Sequence, residues 1–328
     1  VTTAEIQKVG EPTGQRLSAA GGKRTRKSRR STGDMLLPYG LLLPILAFES
    51  VFVIYPILKG GVMAFQSNHF GVTSWAGLDN FNQMLNDPTF WGSVFVTLKF
   101  TFSMVVVWLL LGLCVSLLMN WSFKGRGLMR ALLMLPWAIP DLPIIVTFSA
   151  MLDPNFGIIN RFASWIPGVN HHIFWLSDSN LAFIAIVAMV GWKGFPFYAL
   201  ILLSSLQAIP DDLYEAARVD GSSTLRAFWS ITFPALVPTL SLLAVLAFIF
   251  SFQQFSLIYL TTGGGPGNDT STLAVTIYNE AFEFFNYNYA TALAIVALIL
   301  ALSATLLYVI FERTVIRNRF LDARNTAL

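Results

Sequence analysis

Few side chains in this sequence have the type and setting to do chemistry. Lys193 stands inside the apolar run Leu181–Leu206. An ionisable group within a membrane-length segment is expensive and marks a functional position by default. Three roles are open to it: donating to ligand hydroxyls, meeting an anionic group of a ligand, or pairing with an acid of another run such as Glu49. A second candidate is a polar stretch between two long apolar runs, EAARVDGSSTLRAFWSITFP (Glu215–Pro234), with two acids, two arginines and a glycine. Its carboxylates offer charge-assisted hydrogen bonds to an outside partner. Other chemistry is missing from the pattern. His171 and His172 are adjacent but lack a third ligand at metal spacing, so they read as solvated loop residues. GGGPG (Gly263–Gly267) has neither the Lys nor the following helix of a phosphate cradle. No base and nucleophile pair suggests covalent catalysis.

These residues must be positioned by membrane-spanning elements. Of the 328 residues, 55% are hydrophobic and only 12% charged, with a mean hydropathy of +0.62. Such a chain has too little polar surface for a water-soluble globule and reads as an integral membrane protein. Six runs reach the roughly 20 residues a bilayer requires: Leu36–Leu58, Val94–Met119, Leu128–Met151, Leu181–Leu206, Leu236–Leu260 and Tyr289–Phe311. The first is too long for a leader core and has no small-residue cleavage site, so it is expected to be a retained helix. With both termini in the cytoplasm, the inner segments hold 17 of the 21 Lys and Arg residues, which sets the orientation. The expected fold is therefore all-α, with six transmembrane helices. Residues 1–35 form a basic, disordered cytoplasmic tail, 36–312 the helical domain with an inner loop at 207–235, and 313–328 a cytoplasmic tail. KRTRKSRR (Lys23–Arg30) could suit nucleic acid, but an apolar run begins six residues later. It reads instead as a positive-inside flank, with no nucleic-acid role.

Several runs contain helix-disturbing residues: Pro136, Pro140 and Pro143 in the third, and Gly191, Gly194 and Pro196 in the fourth. Freed backbone groups need a neighbouring helix or a wet cavity, so these two spans are expected to line a path. In the polar stretch, Asp212 three residues before Glu215 suggests a capped helix start, and Gly221 suggests its left-handed end. A second short helix is expected from Ser222 or Ser223, with Leu225, Phe228 and Trp229 on one face. Small Ala216 and Ala217 allow another protein to approach closely. The competing reading is an ordinary cytosolic loop with an interfacial helix.

The spacing favours the partner reading. Glu215, Ala216, Ala217, Gly221, Ile231 and Pro234 resemble the EAA loop of permease subunits of ABC importers; Phe233 stands where that family usually has Leu. SLQAIP (Ser205–Pro210), GLDNF (Gly77–Phe81), DPTFW (Asp87–Trp91) and LTTGGGPGNDTSTLAVTIY (Leu260–Tyr278) are similar to carbohydrate permeases of the maltose and glycerol-phosphate type. The resemblance covers about residues 36–312 and implies a type I ABC importer permease, multi-pass in the cytoplasmic membrane of a bacterium or archaeon. It implies that Glu215, Ala216, Ala217, Asp220 and Gly221 dock on a cytoplasmic ATPase. No G-x-x-x-x-G-K-[ST] occurs in the chain, so ATP and Mg belong to that separate ATPase, present in two copies. A second homologous permease, an extracytoplasmic sugar-binding protein and a sugar complete the implied partners. The chain itself has no cofactor and no enzymatic step.

The same resemblance places the sugar near mid-membrane, on Val190, Lys193, Gly194 and Phe197 of VGWKGFPFY and on Ser251 and Gln254 of SFQQF. Ser and Gln replace two Asn of the family pattern here. Amides, hydroxyls and aromatic faces suit a hydroxyl-rich ligand. Against this, Phe197, Phe252 and Phe255 could be packing aromatics and Gln254 an interhelical hydrogen-bonding residue. For Lys193 the likeness to neutral-sugar permeases favours sugar hydroxyls. The competing functions are an ion-gradient carrier, which should show acids in broken helices, and a permease for a phosphorylated or anionic sugar.

Overall fold

The computed structural model describes residues 42–69, 72–165 and 172–325, with residues 69 and 311–325 given by backbone alone. The basic tail and His171 lie outside the described residues. The chain divides into two compact units after Pro56. In the first, residues 42–56 are helical, with a π-turn at Ser50–Ile54. They begin α1 (Leu42–Met63), a 22-residue apolar helix.

The second unit opens with a hairpin, β1 (Gln66–His69) and β2 (Val72–Trp75), paired antiparallel with Gln66 opposite Trp75. After α2 (Asp79–Asn86) the chain enters α3 (Pro88–Asn120), 33 residues long. Its start is encoded locally: the Asp87 carboxylate accepts from Thr89 N at 2.8 Å, and Pro88 fills the first position, where no donor is needed. The third apolar run is a broken span: α4 (Arg126–Leu133) and α5 (Leu135–Ala138) meet α6 (Asp141–Met151) at 90°. Ile139 is extended because Pro140 follows it, and the helix stops there. A short external helix, α7 (Ile158–Ala163), leads towards α8 (Ser179–Gln207), capped by the Asp178 carboxylate.

The fourth run departs from expectation. α8 is continuous through Gly191, Gly194 and Pro196. Its glycines serve close approach, since α8 packs along α3. A Cβ on Gly191 would lie 2.8 Å from Val107 Cγ1, and one on Gly112 of α3 would lie 2.9 Å from Tyr198 Cβ. At Gly194 it would fall inside the Trp108 indole. Trp108 stacks on Tyr198 with centroids 5.2 Å apart and donates to Val190 O at 3.2 Å. Gly194→Val is therefore expected to cost about 1–3 kcal/mol by overpacking. A lower thermal midpoint of the purified protein checks this, and an unchanged midpoint counts against the seam.

After α8 come α9 (Asp211–Val219), α10 (Thr224–Ala227), a π-turn at Phe228–Thr232, and α11 (Phe233–Phe252). The fifth span was expected to run on to Leu260. It ends at Phe252 instead, and α12 (Ser256–Thr262) follows a break at residues 253–255. α13 (Leu273–Tyr278) is tied to α3 by Leu273 N donating to Thr97 Oγ1 at 2.8 Å. The last helix, α14 (Tyr287–Asn325), is apolar over Tyr287–Ile310 and stays helical through most of the expected tail. Counting the broken pair as one span, six segments among the described residues are long and apolar enough to cross a membrane. The core of the second unit sits where α3, α6, α8 and α11 meet, around Phe100, Met104, Ile145, Tyr198, Leu202 and Leu243.

Candidate functional site

Where α3, α5, α8 and the broken fifth span converge, they leave a cavity of about 350 Å³. That is within the usual range for a small-ligand pocket, about 300–1,000 Å³. Val190, Lys193, Gly194 and Phe197 line it from α8, and Gln254 and Leu257 from the break and α12. Two stretches sixty residues apart in the chain thus meet at one cavity. Trp108, Trp137, Tyr198 and Phe250 complete the wall.

Ser251 does not line this cavity. It is 2% exposed, and its hydroxyl donates to Ala247 O at 2.6 Å, turned back on its own helix. The reason is the break: an unbroken helix would fix Gln254 less than one turn beyond Ser251, whereas here α11 ends at Phe252 and the released Gln254 reaches the cavity. The half-buried Gln254 amide makes no hydrogen bond to the rest of the described chain.

Lys193 meets protein groups first. Its ammonium donates to Ile139 O at 2.6 Å and pairs with Asp141 at 3.1 Å. The break at Pro140 explains both contacts. It leaves carbonyls unsatisfied at the end of α5, where a cation is favoured, while Asp141 sits in the first turn of α6, where an anion is favoured. The two side chains are 19% and 36% exposed, so the pair is half screened from water. Of the three roles open to Lys193, pairing with an acid of another segment is realised, and the acid is Asp141. Sequence reasoning passed Asp141 over, although the rule that singled out Lys193 applies to it equally.

Aromatic rings form the rest of the wall. Phe197 stacks on Trp137 at 6.3 Å and meets Phe250 edge-on at 6.4 Å. Tyr198 was not foreseen either. Its hydroxyl is buried and has no hydrogen-bond partner, a state that proteins rarely tolerate without use.

The polar stretch forms a second candidate site. α9 starts after Pro210 with no side-chain cap; Asp211 and Asp212 occupy its first turn rather than capping it. Its end is a Schellman turn, in which Ser222 N donates to Ala217 O at 2.8 Å and Gly221 N to Arg218 O at 3.1 Å. Gly221 has φ +73°, which a side chain would resist. The second helix begins at Thr224, with Ser223 as cap, its hydroxyl accepting from Arg226 N. Tyr214 and Thr232 hydroxyls lie 2.8 Å apart and tie the two pieces together. Glu215 is exposed and has only a loose i,i+3 contact with Arg218 at 3.9 Å, worth a few tenths of a kcal/mol. Ala216, Asp220 and Gly221 are exposed and Ala217 is half-buried. Leu213, Val219, Leu225 and Trp229 present apolar surface around them. Of the expected apolar face, Phe228 is half-buried while Leu225 and Trp229 stand out. Among the described residues no cluster of His, Cys, Asp and Glu could hold a metal.

Comparison with known proteins agrees with this architecture. Residues 109–317 match the family described as binding-protein-dependent transport system inner membrane component. The chain is 38% identical over 277 residues to the trehalose/maltose transport system permease protein MalF of Thermococcus litoralis, covering 83% of this chain and 92% of that one. It is 34% identical over 287 residues to the sulfoquinovosyl glycerol transport system permease protein SmoG of Agrobacterium fabrum, covering 86% and 92%. Among solved structures, a chain of a bacterial ABC transporter that imports the acidic polysaccharide alginate superimposes with a TM-score of 0.76. That alignment covers 86% of this chain and 96% of the other at 24% identity.

Proposed function

Because the chain belongs to the family of binding-protein-dependent transport system inner membrane components, we propose that it is the membrane permease of an ATP-driven carbohydrate importer. In this reading an extracytoplasmic binding protein delivers a disaccharide or small oligosaccharide. A second homologous permease supplies the other wall of the path, and two ATPase chains carry ATP and Mg. Relatives named for trehalose and maltose, for diacetylchitobiose and for maltodextrin support the substrate class. The exposed Glu215, Ala216, Asp220 and Gly221, with the half-buried Ala217, are the surface that engages the ATPase. The chain performs no covalent chemistry.

The observation that carries the reading is the cavity itself. It brings an unpartnered side-chain amide and a set of aromatic faces to one place in the membrane-spanning part. Gln254 offers donors and acceptors to hydroxyls, and Trp137, Phe197 and Phe250 offer flat faces to the apolar side of a sugar ring. Among the described residues Lys193 is the one cation on the wall, and Asp141 neutralises it. A free anion would therefore meet no uncompensated positive charge. This favours a neutral sugar over a phosphorylated or anionic derivative.

The test is uptake of radiolabelled maltose and trehalose by the complex reconstituted with its ATPase and binding protein. Gln254→Ala should lower occupancy of the membrane site about five- to a hundredfold, the loss of one hydrogen-bonding partner at about 1–3 kcal/mol. Assembly and the affinity of the binding protein should not change. Normal uptake by a normally assembled Gln254→Ala variant would place the sugar elsewhere.

A further inference from the structure

We propose that the external face carries a second saccharide subsite, in a cleft of about 500 Å³ between the hairpin, α2 and the start of α14. The ligand class rests on the carbohydrate-importer reading above; the site is separate from the membrane cavity and shares no residue with it.

The floor is built by two amides from opposite walls. Asn80 of α2 donates to Ala64 O at 2.7 Å and Gln66 O at 2.9 Å. Asn288 of α14 donates to the same Gln66 O at 2.6 Å and to Met63 O at 3.2 Å. Each amide spends its NH₂ on the scaffold, so its orientation is fixed and its carbonyl oxygen is left to accept from a ligand. Asp79 and Gln83, one turn apart on α2, are exposed and make no side-chain hydrogen bond or ion pair within the described chain. The Asp79 carboxylate can accept from two neighbouring hydroxyls at once, and Gln83 can both donate and accept.

An aromatic rim stands over this floor. Phe285 has φ +58°, a costly conformation for a residue with a side chain. Its neighbours hold it there: Phe284 N donates to Asn279 O at 2.9 Å, and Asn286 donates to Glu280 through its backbone at 2.8 Å and its side chain at 2.9 Å. The result presents an exposed ring beside Tyr287, at 6.3 Å between centroids. Among the described residues no Lys, Arg or His lines the cleft, and its acceptors and carboxylate do not suit an anion. Fixed acceptors below a free aromatic face fit a neutral, hydroxyl-rich ring. A protein loop would fit less well, because apolar contact is confined to the rim. By chain order both walls belong to external connections, between the first and second and between the fifth and sixth spans, where a sugar released by the binding protein would arrive.

The experiment uses an Asp79→Ala, Gln83→Ala double variant in the full complex, since neither side chain holds the fold. With maltose and trehalose as probes, saturation-transfer NMR on the nanodisc-embedded complex without binding protein should lose signal. Uptake at saturating liganded binding protein should fall about three- to tenfold, while ATP hydrolysis and the concentration of binding protein for half-maximal stimulation hold. Unchanged signal and uptake overturn the subsite. A shifted half-stimulation concentration with unchanged sugar signal also overturns it, making the cleft a docking surface for the binding protein. If Gln254→Ala loses uptake and the double variant does not, only the subsite fails. If the wild-type complex takes up neither sugar with ATP, both readings fail.

Discussion

Glu215→Lys, in a chain that inserts and assembles normally, is expected to abolish ATP-driven uptake. The side chain is exposed and tethered only by a long contact to Arg218, so its replacement costs the isolated permease little. The loss should appear at the contact with the ATPase, where a reversed sign turns a charge-assisted hydrogen bond into like-charge repulsion, a change of several kcal/mol. Gly221→Pro should reach the same end differently. It forces φ from +73° to about −65° and removes the Gly221 N donor to Arg218 O, so α9 loses its closing turn. ATPase stimulation by liganded binding protein and sugar uptake are the paired measurements. Full stimulation and uptake in a Glu215→Lys complex would remove the coupling role from this segment.

Asp141→Ala is expected to be the most damaging single change within the membrane-spanning part that removes no packing volume of note. It leaves the Lys193 ammonium against the end of α5 with no carboxylate to balance it, at about 1–3 kcal/mol for this half-screened setting. Lys193→Met should cost a similar amount, because the acid is then the unpaired member. The double variant Asp141→Leu, Lys193→Met removes both charges and should recover much of the loss, since ion pairs of this kind cost desolvation to form. The measurement is the thermal midpoint of the assembled complex together with uptake. If the double variant regains both, Lys193 is a clasp on the broken span. If it regains assembly but not uptake, the ammonium also contacts the sugar. A double variant no better than either single change would mean the pair is not coupled.

How far this site could be seen beforehand depended on whether the local sequence or the tertiary fold controlled it. Apolar runs set the spans, because some twenty residues with two charges at most have one cheap environment. The 90° corner of the third span followed from Pro140, whose effect on Ile139 is steric and local. The EAA-like segment was legible for the same reason: Gly221 is required by a backbone conformation, and Ser223 by an unpaired helix donor. The break at Gln253–Phe255 was not legible. SFQQF contains neither Gly nor Pro, and the helix stops there through tertiary packing, with Phe255 stacked on Tyr259 at 5.1 Å and tilted against Tyr278 at 4.9 Å. Ser251 was misplaced as a consequence, since its orientation depends on where that helix ends. Gly191 and Gly194 were read as weak points of α8, whereas they admit Val107 and the Trp108 indole. A glycine that breaks a helix and one that admits a neighbour look alike until the neighbour is known.

The glycine contacts between α3 and α8 also decide what can move. With Gly112 under Tyr198, and Gly191 and Gly194 under Val107 and Trp108, there is no spare methyl group between the two rods. Sliding one along the other by even a fraction of a turn would drive an indole into a backbone, so the pair travels as a single plank. Any opening or closing of the cavity would then fall to its two helix interruptions, the corner at Ile139–Pro140 and the gap at residues 253–255. Asp141 lies at the first interruption and Gln254 at the second, while the plank supplies Trp108, Phe197 and Tyr198. A ligand held between Gln254 and those rings would bridge the second interruption and the plank, and its arrival or departure would bear directly on that interruption.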